Sequence, residues 1–344
     1  MSKYSSTSFA LLVDGNDLTP LLMETVSRSN EIVTDQSNPL GSGAEGHDPV
    51  GVTKGMLAVG GGYFDEAVDL LHAGIADSGL SDTVGATPRV VCVFNEGHTI
   101  GNHFTGYEGT YSQKYDVLSS NGKLTKSNVG YQVTGQVDEG QIVQALAAQT
   151  IDWDTKATPV DYADDPAALR VPITGASVEA AAISIITTPD DHHLVTGDVV
   201  AIFEMAGGIT PDINDTAAAQ AWTGIGHTVT VINATSFSIP VDVTNDGTGG
   251  YLIRVSWAGG GYGHMQLTAR SGVTANVGKV VHSVDGVTWA DLITFTDTAS
   301  GAHVAERKAT AAVTTIVRRY LAWVGDLTTA GSITVFGGFA RGGA

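Results

Sequence analysis

Apolar and polar residues alternate with a period of two in the longest patterned segments of this chain, which predicts strands there rather than helices. SFALLVDG reads as a strand closed by a turn at Asp14-Gly15, and RVVCVFN as a short buried strand. Two longer segments alternate more extensively. In FTGYEGTYSQKYDV one face carries Thr105, Tyr107, Tyr111, Tyr115 and Val117, and the other Glu108, Thr110, Ser112, Lys114 and Asp116. In KSNVGYQVTGQV, Val129, Tyr131, Val133 and Val137 stand opposite Asn128, Gln132, Thr134 and Gln136. Alternation of that length predicts long antiparallel strands, packed on one face and wet on the other. Two segments break the period. FDEAVDLLHAGIADSG repeats Phe64, Val68, Leu71 and Ile75 at helical spacing and predicts a helix over 65–77. DEGQIVQALAAQ predicts a second short helix, with Asp138 as N-cap and Ile142, Val143, Leu146 and Ala147 buried.

The stretches between these elements divide the chain. Residues 34–51 are rich in Gly, Pro, Ser and Asp and read as a long loop, and WDTKATPVDYADDPAALRVP reads as a linker. Residues 171–255 then change character, with short strands joined by Gly, Asp and Asn turns, as in a small all-β module. Strands continue to the end of the chain, with a hairpin turn at Asp285-Gly286. The expectation is a mainly β, β-rich α+β fold in three parts: 1–165, an inserted module over 171–255, and 258–344.

Charge narrows the function. The formal net charge is −19, distributed as −13 over residues 1–170, −8 over 171–255 and +2 over 256–344. Nucleic-acid affinity rests on Lys and Arg neutralising phosphates, so a chain this acidic argues against stable DNA or RNA binding. An acidic surface does suit a wall that DNA slides past. The lone cysteine, Cys92, excludes a disulfide within the chain and reads as a buried, inert thiol. No leader-like segment opens the chain, and no apolar run reaches the roughly 18 residues a membrane span needs. The expectation is assembly in a cytoplasm, without membrane insertion.

Three motifs invite a chemical reading. DDHHLVTGD (190–198) sets two carboxylates beside two histidines. Adjacent strand residues point to opposite faces, so His192 and His193 are badly placed to share a metal, and a turn entering the strand VVAIF is the better reading. GSGAEG (41–46) matches GxGxxG literally but lacks the flanking strand and helix a dinucleotide site needs. NEGHTIGNHF brings Glu96, His98 and His103 into one loop. It is the best metal candidate in the chain, although a hairpin loop with hydrogen-bonded histidines is preferred. The Arg318-Arg319 pair reads as strand-edge alternation paired with an acidic neighbour. No nucleophile elbow or P-loop occurs, so no catalytic residue, metal or cofactor is expected and the profile is structural.

A resemblance gives that profile a form. LLVDGNDLT with PVGVTKGMLAVGGGYFDEA, KLTKSNVGYQVTGQVDEGQIV, and VGKVVHSVDGVTWADLITF with VRRYLAWVG and ITVFGGFARG resemble segments of the major tail tube proteins of long, flexible-tailed bacteriophages. TTPDDHHLVTGDVVAI with HTVTVINATSFSIPVDVT is similar to a β-module that recurs in phage tail proteins and has been likened to the first catalytic cysteine half-domain of ubiquitin-activating enzymes. In that module His193, Thr196, Gly197 and Asp198 match a turn, with no metal or enzyme implied.

The resemblance implies a virion protein with a tail-tube-type sandwich or barrel, forming hexameric rings stacked into a hollow tube through which double-stranded DNA passes without stable binding. It implies tape measure, tail terminator and tail tip proteins as partners. In the register above, Glu108, Lys114, Asp116, Gln132 and Gln136 are candidates to face the lumen or its rims. Asp35, Asn38, Glu45 and Asp48 are candidates for contact between rings, and the inserted module is expected outside the tube. Two other readings stay open. One is a capsid or tail decoration protein or glycan-binding adhesin using Trp289 and Trp323. The other is a metal-dependent hydrolase using Glu96, His98 and His103.

Overall fold

The computed structural model describes residues 9–19, 25–36, 47–63, 89–118, 126–133, 136–150, 152–164, 170–178, 183–207, 211–214, 226–273, 276–297, 303–327, 329 and 331–342. Strands dominate, and among the described residues helix is confined to short 3-10 turns such as Tyr162–Asp164. The helix expected over 65–77 lies outside the described residues.

The largest sheet has eleven strands. They are β1 (Ala10–Val13), β2 (Asn16–Asp17), β3 (Thr25–Gln36), β4 (His47–Tyr63), β5 (Arg89–Phe94), β6 (His103–Leu118), β7 (Lys126–Val133), β8 (Val137–Gln149), β20 (Gly261–Ser271), β23 (Val304–Ala309) and β26 (Ser332–Arg341). The main path runs β2-β1-β5-β6-β8-β26-β20-β23, so strands from both ends of the chain lie side by side. It curls until its ends meet. At the β1–β2 turn Gly15 donates its N–H to Gln266 Oε1 at 2.6 Å, and His303 Nδ1 lies 3.0 Å from the Gly15 carbonyl. A Cβ at Gly15 would stand 2.5 Å from backbone atoms of Leu267 and Val304, so only glycine closes this seam. Leu12, Cys92, Phe94, Phe104, Ile142 and Phe336 fill the interior.

The segment DEGQIVQALAAQ is not the expected helix but strand β8, between β6 and β26. Both of its faces are covered. Ile142 joins the curled sheet's interior, and Val143 packs with Met265, Val335 and Trp323 on the other side. β8 also has one extra residue between Ala147 and Gln144 and another between Gln144 and Ile142 relative to β26. Two-sided burial and bulges give an apolar spacing that imitates a helix. Asp138 is therefore not an N-cap; it is a buried residue of this strand.

Against β8, β26 and β20 packs a five-stranded sheet of β9 (Trp153–Asp154), β10 (Val160–Asp161), β21 (Asn276–Ser283), β22 (Ala290–Asp297) and β25 (Tyr320–Leu327). Trp323 is fully buried between the layers and stacks on Phe295 with centroids 5.6 Å apart.

Residues 170–258 make two further five-stranded sheets around their own core of Ile186, Val200, Ile202, Phe237 and Leu252. One contains β11 (Arg170–Pro172), β14 (Val199–Phe203), β15 (His227–Thr228) and β19 (Tyr251–Ala258). The other contains β12 (Gly175–Val178), β13 (Ser184–Thr187), β16 (Thr230–Asn233), β17 (Ser236–Ile239) and β18 (Gly247–Thr248). The first is completed by β24 (Ile316–Val317), which pairs with β19. Ala163 and Tyr162 pack on the same sheet against Ala201, Ile253 and Val255.

On β6 the large sheet continues as β7-β4-β3, a long extension in which β3 pairs with β4 alone among the described strands. Pairing of β3 with β4 persists through Asp35↔Asp48 and Gln36↔His47. The loop expected over 34–51 is thus narrower, with 34–36 and 47–51 in strands, because a hairpin ladder satisfies their backbone groups.

Candidate functional site

The DDHHLVTGD segment has a definite local task. His192 is buried, takes a hydrogen bond from Leu194 N on Nδ1 at 3.0 Å, and has Nε2 3.0 Å from the Asn233 carbonyl. His193 points to solvent with a positive φ of 52°. Asp198 is buried; its Oδ2 accepts from Val195 N at 2.9 Å and lies 3.2 Å from Arg254 Nε. Burial pushes the Asp198 carboxyl up, against the lowering effects of the Val195 N–H and Arg254. The segment runs along the outer side of β16. Val231 N bonds Thr196 Oγ1, Gly197 N bonds the Val229 carbonyl, and His192 N bonds the Ala234 carbonyl. It caps an edge strand that would otherwise present unpaired backbone groups.

Glu96, His98 and His103 are not drawn together. Among the described residues no group of three His, Cys, Asp or Glu side chains is arranged to hold a metal. Asn102 instead closes the loop, donating to the Glu96 carbonyl at 2.7 Å, and His103 begins β6 opposite Gln141. GSGAEG lies outside the described residues. Trp323 belongs to the core and offers no stacking platform, while Trp289 is half-buried.

The densest polar cluster lies inside the curled sheet. His264 on β20 is fully buried; its Nε2–H points at Asp138 Oδ2 at 2.8 Å, and its Nδ1 faces Cys92 Sγ at 3.7 Å. Arg307 on β23 grips Asp138 with two bonds, Nε to Oδ2 at 2.6 Å and a terminal nitrogen to Oδ1 at 3.1 Å. Phe104 meets the imidazole edge-on, and a Cβ at Gly106 would stand 2.4 Å from the ring, so β6 carries glycine there. Burial works against the Asp138 carboxylate, but hydrogen bonds and charge from His264 and Arg307 outweigh it and hold its pKa below the usual value. A thiol, an imidazole and a carboxylate in series have the connectivity of a cysteine nucleophile with its base and orienter. The environment is different. Burial pushes the Cys92 thiol up to about 12, and neither Cys92 nor His264 reaches solvent, so the thiol stays protonated and shielded. The cluster is a clasp joining β5, β8, β20 and β23. Residues 92, 138, 264 and 307 are too far apart in the chain to form a motif. Asp138 stands among polar neighbours in QVDEGQ, so nothing local marked it either.

The lumen candidates fall on the long extension. Glu108, Lys114 and Asp116 lie on β6, Gln132 on β7 opposite Met56 and Tyr111, and Gln136 is exposed just before β8. β6 has an extra residue between Tyr107 and Thr110 relative to β5, and another between Ser112 and Lys114 relative to β7. Each bulge shifts alternation by one, so the single odd-even phase read from the sequence does not run unbroken along β6. Of the inter-ring candidates, Asp35 and Asp48 are register partners at the end of the β3–β4 ladder, and Asn38 and Glu45 lie outside the described residues. Arg319 pairs with Asp161 through two 2.8 Å bonds, as its acidic-neighbour reading requires; Arg318 has no carboxylate partner among the described residues.

No protein-family model matches this chain, and no curated protein matches it. Among solved structures it aligns with the Dit (gp 19.1) protein of phage SPP1, described as a paradigm of the hub adsorption apparatus in phages infecting Gram-positive hosts. The alignment covers 96% of this chain and 98% of that one at 8% identity, with a TM-score of 0.26. Overlap at that level assigns no role.

Proposed function

We propose that this chain is a structural subunit of a bacteriophage tail, polymerising as stacked hexameric rings into the tail tube. The observation that carries the reading is β3, a 12-residue strand at the rim of the largest sheet that pairs only with β4 among the described strands. A long open edge is a template for another chain, and proteins that do not use such an edge shorten, cover or bulge it. One other edge is covered, where DDHHLVTGD lies along β16. Edge-to-edge joining of the β3–β4–β7–β6 extensions around a ring would close the sheets into a barrel, and the tube-protein motifs support the same arrangement. In this reading Glu108, Lys114, Asp116, Gln132 and Gln136 belong to the lumen wall or its rims, and the net negative charge lets DNA pass without sticking. The tape measure, terminator and tip proteins are the partners, assembly takes place in the host bacterial cytoplasm, and no catalytic step is assigned.

Gold-labelled antibody against the purified chain tests this on intact virions. Label repeating along the whole tail is expected. Label restricted to the capsid or tail tip would overturn the tube reading in favour of a decoration or adsorption protein.

A further inference from the structure

We infer that His282 is a proton-operated latch: when its ring takes up a proton, residues 316–319 let go of β19, and the 170–258 unit comes away from a body that stays folded. The contacts that seat the unit run through this short crossing. β24 pairs Val317 with Trp257 and Ile316 with Ala258 on β19. Just before it, the Thr315 carbonyl accepts from Gly260 N, at the junction of β19 and β20. Just after it, the Arg319 carbonyl accepts from Tyr162 N, and Tyr162 and Ala163 pack on Ala201, Ile253 and Val255 of the unit. Arg341 on β26 steadies the same turn of chain. One of its terminal nitrogens donates to the carbonyls of Arg318 at 2.8 Å and Arg319 at 3.0 Å, and its guanidinium lies 4.6 Å from the centre of the Tyr162 ring.

His282 ties this crossing to β21. The residue is only 7% exposed, and its Nδ1 accepts from Arg318 N at 3.3 Å. A doubly protonated imidazole has no acceptor left, so the proton that charges the ring also removes this bond. The surrounding charge opposes that proton. Arg318 on the crossing and Arg341 on β26 are the charges that act on the ring, and both are cations. The carboxylates on the neighbouring elements are engaged elsewhere. Asp161 of β10 is held by two bonds from Arg319, Asp291 of β22 pairs with Lys279, and Asp285 of the β21–β22 turn accepts from Val287 N, Thr288 N and Ser283 Oγ. Moving the crossing aside relieves the charged ring, because it admits water and takes Arg318 away. Burial, then Arg318 and Arg341, holds the pKa at about 4 while the latch is shut, against 6.5 for a free ring. The shut form therefore binds fewer protons, and its advantage, complete above pH 6.5, declines as pH falls toward 4. From pH 7 to pH 5 the ratio of open to shut rises about twentyfold. The pairing of β8, β26 and β20 does not pass through this ring and is expected to persist.

Hydrogen–deuterium exchange of the full-length protein at pH 7 and pH 5, corrected for the pH dependence of chemical exchange, tests the inference. In the wild type, protection of amides in 312–320 and 252–261 should fall about twentyfold between the two, while β8 and β26 keep theirs. His282→Gln should abolish the fall. Arg318→Gln keeps the backbone bond but removes one of the opposing cations, which brings the ring's pKa nearer 6.5, so the fall should shrink. Loss of protection no greater in these two segments than in β8, or a fall of wild-type size in either variant, overturns the latch. Should H282Q not fold, the wild-type profile and R318Q still decide the matter. None of these results bears on the tube reading, which stands or falls on the virion labelling.

Discussion

Asp138, His264 and Arg307 illustrate how much a buried charge depends on its partners. The carboxylate is nearly inaccessible, and its stability derives from bonds to two cationic or polar side chains on other strands. Asp138→Asn removes the charge and leaves the guanidinium poorly matched, which should cost about 3–5 kcal/mol in denaturant unfolding. A change below about 1 kcal/mol would mean the clasp is dispensable. Cys92 should resist thiol reagents in the native protein and react once unfolded; rapid native labelling would contradict the shielding described. His282 supplies a pH dependence. Burial, then the nearby charges of Arg318 and Arg341, lowers its pKa from 6.5 to about 4. Above pH 6.5 the ring is neutral in folded and unfolded chains alike. Between 6.5 and about 4 only the unfolded chain takes the proton, so this residue's contribution is lost as pH falls. His282→Gln should flatten the melting temperature against pH across that window, and parallel curves for variant and wild type would refute the assignment. The sequence exposed Cys92 as buried and His193 as a turn residue, because each depends on close neighbours. It concealed Asp138–His264–Arg307 because the fold alone brings them together.

At the scale of elements, strands were legible wherever one face is wet and illegible where both are buried. β8 is the clear case, since burial on two sides and two bulges erase the period of two. The bulges in β6 have the same effect on phase, and a bulge is a property of pairing that one strand's sequence does not display. Packing between sheets leaves a testable imprint. Trp323 fits because Gly278 on β21 and Gly337 on β26 lack side chains: a Cβ would stand 2.3 Å and 2.4 Å from the indole. Gly278→Ala and Gly337→Ala should each destabilise by about 1–3 kcal/mol or more, with altered tryptophan fluorescence. Unchanged melting and emission would mean that the two layers yield more readily than their packing indicates. His192→Ala should cost about 1–3 kcal/mol by leaving Leu194 N and the Asn233 carbonyl without their ring partner, with the loss concentrated in the 170–258 unit.

Across the whole molecule, the two ends of the chain make one body and the 170–258 unit carries its own core. The change in composition near residue 171 showed in the sequence. The return of the later strands to a sheet begun at residue 10 did not, because strand order is decided by long-range pairing. β26 lies between β8 and β20, so removing 332–344 should unfold the body rather than trim it. Replacing 170–258 with a short linker should be milder. It bares Ala163 and strips β24 of its partner but leaves the eleven-stranded sheet and the sheet of β9, β10, β21, β22 and β25 paired, and it should still permit polymerisation. Loss of polymer with a folded body would put the unit in the tube wall instead of on its exterior.

The central claim is that this chain builds a hollow tube from its own sheets. Negative-stain electron microscopy of the concentrated full-length protein, alongside native virion tails as seeds and standards, tests it most directly. The account predicts stacked rings with the diameter and axial repeat of the virion tail. Discrete particles that never extend the seeds, with the chain absent from the tail shaft, would contradict it.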